Sequence, residues 1–125
     1  MKTRYVIALA MLAGFGIGAV AVQGLHAQAT PPGYLIFNNE VTDAPGYQPV
    51  VDGTPKTFAP YGARFLIRPV TPEVLEGPKP NRFGVIAFDS VEKARAWYNS
   101  PANKELNAIR ARTAKSQVFI IEGAN

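Results

Sequence analysis

The sequence predicts an α+β domain of order β-α-β-β-α-β, a ferredoxin-like sandwich with helices on one face of an antiparallel sheet. Three observations lead there. Apolar segments at 34–41, 63–68, 83–88 and 116–122 have the length and the β-branched and aromatic content of strands. Ser100-Pro101 is a helix start, a hydroxyl cap followed by Pro at the first helical position. The stretch from Pro69 to Asn81 carries too many Pro and Gly residues to hold a helix, so the second and third strands follow one another directly.

Each element has its own local reason. Thr30-Pro31-Pro32-Gly33 is a breaker segment, after which Tyr34–Val41 reads as the first strand, apolar at first and polar toward its end. In Thr42-Asp43-Ala44-Pro45-Gly46 the chain turns and can start a helix, with Asp43 as the candidate cap. Tyr47, Val50, Val51, Thr54 and Phe58 recur at helical spacing, against the low propensity of Pro49, Gly53 and Pro55. The second strand, Ala63–Arg68, alternates so that Ala63, Phe65 and Ile67 oppose Arg64, Leu66 and Arg68. Glu73–Glu76 is a candidate extension of its pairing. Phe83–Phe88 is the third strand, and Asp89 with Glu92 has the capping-box relation that opens a helix running to about Asn99. A further helix runs from Pro101 to about Thr113 with Leu106 and Ile109 inward, and Ser116–Glu122 is the fourth strand.

The third and fourth strands are apolar on both alternating faces, whereas an antiparallel sheet with one solvated face alternates. A second copy of the chain is the simplest cover. The sequence therefore predicts a homodimer with its sheets face to face, which also thickens the core that a domain this small builds alone.

The N-terminal residues read as an address. Lys2 and Arg4 precede an uncharged stretch from Tyr5 to Val22, and Ala27-Gln28-Ala29 offers the small residues that a signal peptidase accepts. Residues 1–29 are expected to be a cleaved signal peptide, and residues 30–125 a single exported domain, periplasmic or secreted. An uncleaved anchor holding the domain on the periplasmic side of the membrane is the alternative. With cleavage, no stable membrane association is expected.

Composition then excludes chemistries. The chain has 125 residues, one His and no Cys. That His is His26, so the exported part carries neither soft nor imidazole metal ligands. Zinc, copper and haem sites, and Ser-His-Asp or Cys-His catalysis, are ruled out for it. No metal or cofactor is expected. Losing Lys2 and Arg4 leaves 11 basic against 9 acidic residues, a formal charge of +2 rather than +4. The basic stretch of Arg95, Lys104, Arg110, Arg112 and Lys115 accordingly reads as a solvated helix face, with no nucleic-acid partner.

The residues also resemble a known family. Tyr34–Asp43, Pro60-Tyr61-Gly62-Ala63-Arg64-Phe65-Leu66, Val74-Leu75-Glu76-Gly77 and above all Ala94-Arg95-Ala96-Trp97-Tyr98-Asn99-Ser100-Pro101 are similar to the family called domain of unknown function 1330. The resemblance spans nearly all of the exported part. It implies the dimeric α+β barrel superfamily, whose other branches include cofactor-independent monooxygenases, isomerases and haem-handling proteins. The missing histidine departs from the haem-handling branch.

Candidate site residues follow from orientation. Asn38 and Glu40 share a strand face with Tyr34 and Ile36, where they either orient a ligand or sit at a wet strand end. Arg64 and Arg68, roughly 13 Å apart along the strand, suit a carboxylate or enolate; the bland reading pairs them with Glu40, Glu73 or Glu76. Trp97 and Tyr98 are helix neighbours that point to different sides, Trp97 toward the core and Tyr98 with its polar tip toward a rim or cavity. Tyr47 and Tyr61 flank the first helix and offer phenolic hydroxyls, and Ser100 is a cap rather than a nucleophile. Two functions are consistent with this set. One is the binding of a small, partly apolar, anionic metabolite in an aromatic-lined cavity; the other is a cofactor-independent oxygenase or isomerase that stabilises an enolate.

Overall fold

The sheet has the order β2-β3-β1-β4, with every neighbouring pair antiparallel. Its strands are β1 (Gly33–Val41), β2 (Arg64–Val70), β3 (Arg82–Phe88) and β4 (Ala114–Glu122). Helices α1 (Ala44–Gly53), α2 (Val91–Tyr98) and α3 (Pro101–Thr113) complete a ferredoxin-like α+β fold in the expected order. The computed structural model describes residues 30–125. The signal-peptide and anchor expectations for residues 1–29 lie outside the described residues. Among the described residues, no helix is long and apolar enough to cross a membrane.

Cross-strand partners share a face, so the register sorts the sheet. Leu35, Phe37 and Asn39 of β1 stand opposite Ile86, Gly84 and Arg82 of β3, and opposite Ile120, Val118 and Ser116 of β4. These residues face the helices. Leu35, Phe37, Ile86 and Phe88 form the main core with Phe58, Ala94 and Trp97. Gly84 is a packing requirement, because a Cβ there would come within 2.9 Å of Phe37 Cε1. The opposite face carries Tyr34, Ile36, Asn38 and Glu40 with Phe119, Ile121, Val85 and Ala87. Among the described residues no helix covers it, and Phe119 and Ile121 are 43% and 44% exposed.

The caps explain where the helices begin. Asp43 Oδ1 accepts from the Gly46 amide at 3.1 Å, as its residue type predicts. Helix α1 stops at Gly53, short of the spacing that extends to Phe58. Pro55 has no N–H for the next bond and its ring clashes with the preceding turn, so the chain continues as 3-10 turns at Pro55–Thr57 and Ala59–Tyr61. The second of these closes on Gly62 at φ 62°. Helix α2 is capped by Ser90, which accepts from the Lys93 amide at 3.1 Å, and not by Asp89. Asp89 instead pairs with Lys93 Nζ at 3.5 Å. Ser100 caps α3 as expected, accepting from the Asn103 amide while donating to the Trp97 carbonyl.

Two further expectations need correction. Glu73–Glu76 does not prolong the pairing of β2: the chain from Thr71 to Asn81 is irregular, and Leu75 is 89% exposed. Strand β2 also does not alternate regularly. Its register against β3 shifts between Phe65 and Ile67 and again before Val70. Ile67 is thereby opposite Val85 on the uncovered face and leaves the side of Phe65.

Candidate functional site

Between the sheet and its helices lies a cavity of about 100 Å³, walled on one side by Phe37, Phe65, Trp97 and Leu106. Its polar residues include Asn39, Tyr47 and Arg82, which meet at one end, and Asn103, Asn107 and Arg110 along α3. The topology brings these residues together. Asn39 and Arg82 are direct cross-strand partners on β1 and β3. The first turn of α1 sits beside them because Thr42 and Asp43 both donate backbone hydrogen bonds to the Thr113 carbonyl at the end of α3.

Tyr47 is the centre of the polar end. Asn39 Nδ2 donates to Tyr47 Oη at 2.9 Å, and the Arg82 guanidinium lies over the Tyr47 ring, 5.9 Å from its centroid. Two polar atoms there are buried without any hydrogen-bond partner, Asn39 Oδ1 and Arg82 Nε. Buried polar groups are almost always paired; these two atoms have almost no accessible surface, so they are sealed from the cavity as well as unpaired. Among the described residues, Arg82 and Arg110 line this cavity and no carboxylate does, which makes it cationic.

Trp97 is fixed from outside the cavity. Its ring packs against Phe58 and Phe88 at centroid distances of 5.9 and 5.6 Å, and Nε1 donates to Thr57 Oγ1 at 2.8 Å. The Asn103 amide is held by the Tyr98 carbonyl at 3.0 Å. A second, open depression of about 500 Å³ lies at the same end of the sheet, where Glu40, Lys79 and Asn81 join Asn39 and Arg82.

Of the residues singled out in sequence, Tyr47 and Trp97 line the cavity and the others do not. Asn38 lies on the uncovered face, where its Oδ1 anchors the Asn81 amide at 2.9 Å. Glu40 is exposed and borders the open depression. Tyr98 packs against the core from its rim. Arg64 and Arg68 are both exposed, and the shifted register of β2 removes the regular alternation that would set them on one face. Their expected pairing with Glu40, Glu73 or Glu76 is absent too, since among the described residues the only ion pair joins Lys93 to Asp89.

Sequence reasoning missed Asn39, Arg82, Asn103 and Arg110. Arg110 was grouped with the solvated basic face, yet it borders the cavity. A signal did exist for Asn39 and Arg82. Each is the polar end of an apolar period-2 run, Leu35-Phe37-Asn39 and Phe88-Ile86-Gly84-Arg82, and antiparallel pairing of the two runs joins those ends.

Residues 32–124 match the family described as domain of unknown function (DUF1330). No match was found among curated proteins. Among solved structures, a protein of unknown function from Rhodopseudomonas palustris is similar with a TM-score of 0.63 at 13% identity, over 84% of this chain and 92% of that one. A cofactor-independent oxygenase from Streptomyces nogalater has a TM-score of 0.52 at 11% identity, over 77% and 96% of the two chains. A dimeric ferredoxin-like protein of unknown function from Thermobifida fusca has a TM-score of 0.51 at 17% identity, over 74% and 92%. At such identities the likeness shows the fold alone.

Proposed function

The chain belongs to the DUF1330 family, and on that premise we propose that it is an exported homodimeric binding protein whose cavity takes a small, partly apolar anion. One observation carries the reading: Arg82 and Arg110 line the cavity and, among the described residues, no carboxylate does. Guanidinium groups that no carboxylate neutralises favour an anionic ligand through charge-assisted hydrogen bonds. Aromatic walls at Phe37, Phe65 and Trp97 suit the ligand's apolar body.

Two other features support assembly and export. The uncovered sheet face is apolar along Tyr34, Ile36, Phe119 and Ile121, the size and character of surface that a second copy would bury. The basic, apolar, then small-residue order of residues 1–29 supports secretion to the periplasm or beyond.

The runner-up is a cofactor-independent oxygenase or isomerase, supported by the oxygenase among the fold neighbours. Such a reaction begins with loss of a substrate proton. Apart from Tyr47, the cavity wall offers among the described residues no side chain suited to accept it, so binding is the better reading.

Calorimetric titration of the full chain with butyrate tests the proposal. Binding is expected, with a loss of about tenfold or more in Arg82→Gln, because a charge-assisted hydrogen bond disappears. Equal affinity in the two proteins, or no heat in either, overturns it. Oxygen consumption or product formation with a candidate enolisable substrate would favour the enzyme reading instead.

A further inference from the structure

The apolar wall of the cavity limits what it can hold, and we infer that Leu106 sets the chain length of the ligand: a short-chain carboxylate is accepted and longer fatty acids are turned away. The inference rests on the anion reading above and deepens it. Helix α3 presents one stripe to the cavity, Asn103, Leu106, Asn107 and Arg110, at spacings of three and four residues. Leu106 is the aliphatic member of that stripe, so an apolar body that meets α3 meets it there.

The wall has little room to retreat. A Cβ added at Gly53 would lie 2.9 Å from Leu106 Cδ2, closer than the roughly 3.5–4.0 Å of ordinary carbon contact. Leu106 therefore already sits against the bare backbone of α1. Phe37 fits over Gly84 in the same way, 2.9 Å from such a Cβ to Cε1. Trp97 is held by its bond to Thr57 Oγ1. Three of the cavity's apolar side chains are thus backed by solid packing, and interiors packed at this density do not swell to admit extra methylenes.

Volume gives the scale. The cavity is about 100 Å³, against the roughly 150 Å³ of an apolar cavity that accepts the six carbons of benzene. In proportion, the apolar body of the ligand has about four carbons, and about five is the ceiling.

Calorimetric titrations of the full chain with butyrate, hexanoate and octanoate decide the matter. Octanoate is expected to bind about tenfold or more weakly than butyrate, because its tail exceeds the pocket. In Leu106→Ala, which takes three carbons from the wall, octanoate is expected to bind as tightly as butyrate or more so. Leu106→Val takes one carbon, and is expected to raise hexanoate relative to butyrate about threefold; it serves if the alanine variant fails to fold. Affinity that climbs steadily from butyrate to octanoate in the unaltered chain shows the tail leaving through the mouth of the cavity. That result overturns the ceiling and leaves the anion reading intact. A cut-off that neither variant moves overturns the assignment to Leu106. Binding of none of the three acids overturns both readings.

Discussion

Trp97 Nε1 donates a 2.8 Å hydrogen bond to Thr57 Oγ1, tying the chain's single tryptophan to the 3-10 turn that follows α1. Those residues are separated by 40 positions, and the bond joins two segments that both border the core. It also sets the plane of the ring that forms one cavity wall.

Thr57→Val tests that bond. Removing the acceptor leaves a buried indole N–H unpaired, so the variant is expected to lose about 1–3 kcal/mol in urea denaturation. Trp97→Ala, which also opens a large void, is expected to cost about 3–5 kcal/mol. A Thr57→Val midpoint indistinguishable from that of the parent would show that the hydrogen bond contributes nothing net.

Gly84→Ala places a methyl against the Phe37 ring edge, 2.9 Å from Cε1. Phe37 borders the cavity, so a displaced ring alters the cavity wall. The expected outcome is destabilisation of about 1–3 kcal/mol, together with weaker carboxylate binding, read by denaturation and calorimetry on the same preparation. Unchanged binding would mean that Phe37 yields in another direction.

Arg82→Met separates stability from function. The substitution keeps the length of the stem while removing a guanidinium whose Nε is buried and unpaired, so thermal stability is expected to hold or rise. Carboxylate binding is expected to disappear. A large drop in Tm would instead assign Arg82 a structural role.

The uncovered sheet face makes a prediction about assembly. Phe119 and Ile121 are adjacent on that face along β4 and large enough to anchor an interface. Changing both to Lys is expected to convert a dimer to a monomer in sedimentation velocity, with the far-ultraviolet circular dichroism spectrum retained. A parent that already sediments as a monomer would remove the face-to-face arrangement.

Export has an equally direct readout. The N-terminus of the protein recovered from the exported fraction is expected to be Thr30, following Ala27-Gln28-Ala29. Intact mass of a chain that begins at Met1 and fractionates with membranes would indicate the anchor instead.

The strands and the last helix were legible because their signals are local. Short apolar runs bounded by turn residues marked β1, β3 and β4, and the Ser100-Pro101 cap located α3 at Pro101–Thr113, as found. Local signals failed where two of them competed. Asp89 and Ser90 are adjacent candidate caps, and the one in extended backbone geometry whose hydroxyl reaches the Lys93 amide is Ser90. In α1 the apolar spacing continued to Phe58, but Pro55 ended the helix within the pattern.

From the sequence alone came the β-α-β-β-α-β order, the resemblance to the DUF1330 family, and the absence of histidine and cysteine from residues 30–125. Each depends on residue identity and near-neighbour spacing. Tertiary structure alone decided which face of β1 the helices cover. Leu35-Phe37-Asn39 and Tyr34-Ile36-Asn38 are equally apolar runs that end in asparagine, and only packing against α1, α2 and α3 puts the first inside. The cavity follows from that choice. Arg82 and Asn39 lie 43 positions apart in the chain and become partners through antiparallel register. Each residue ends an apolar period-2 run, but nothing within either run names its partner; only the pairing of the two strands does.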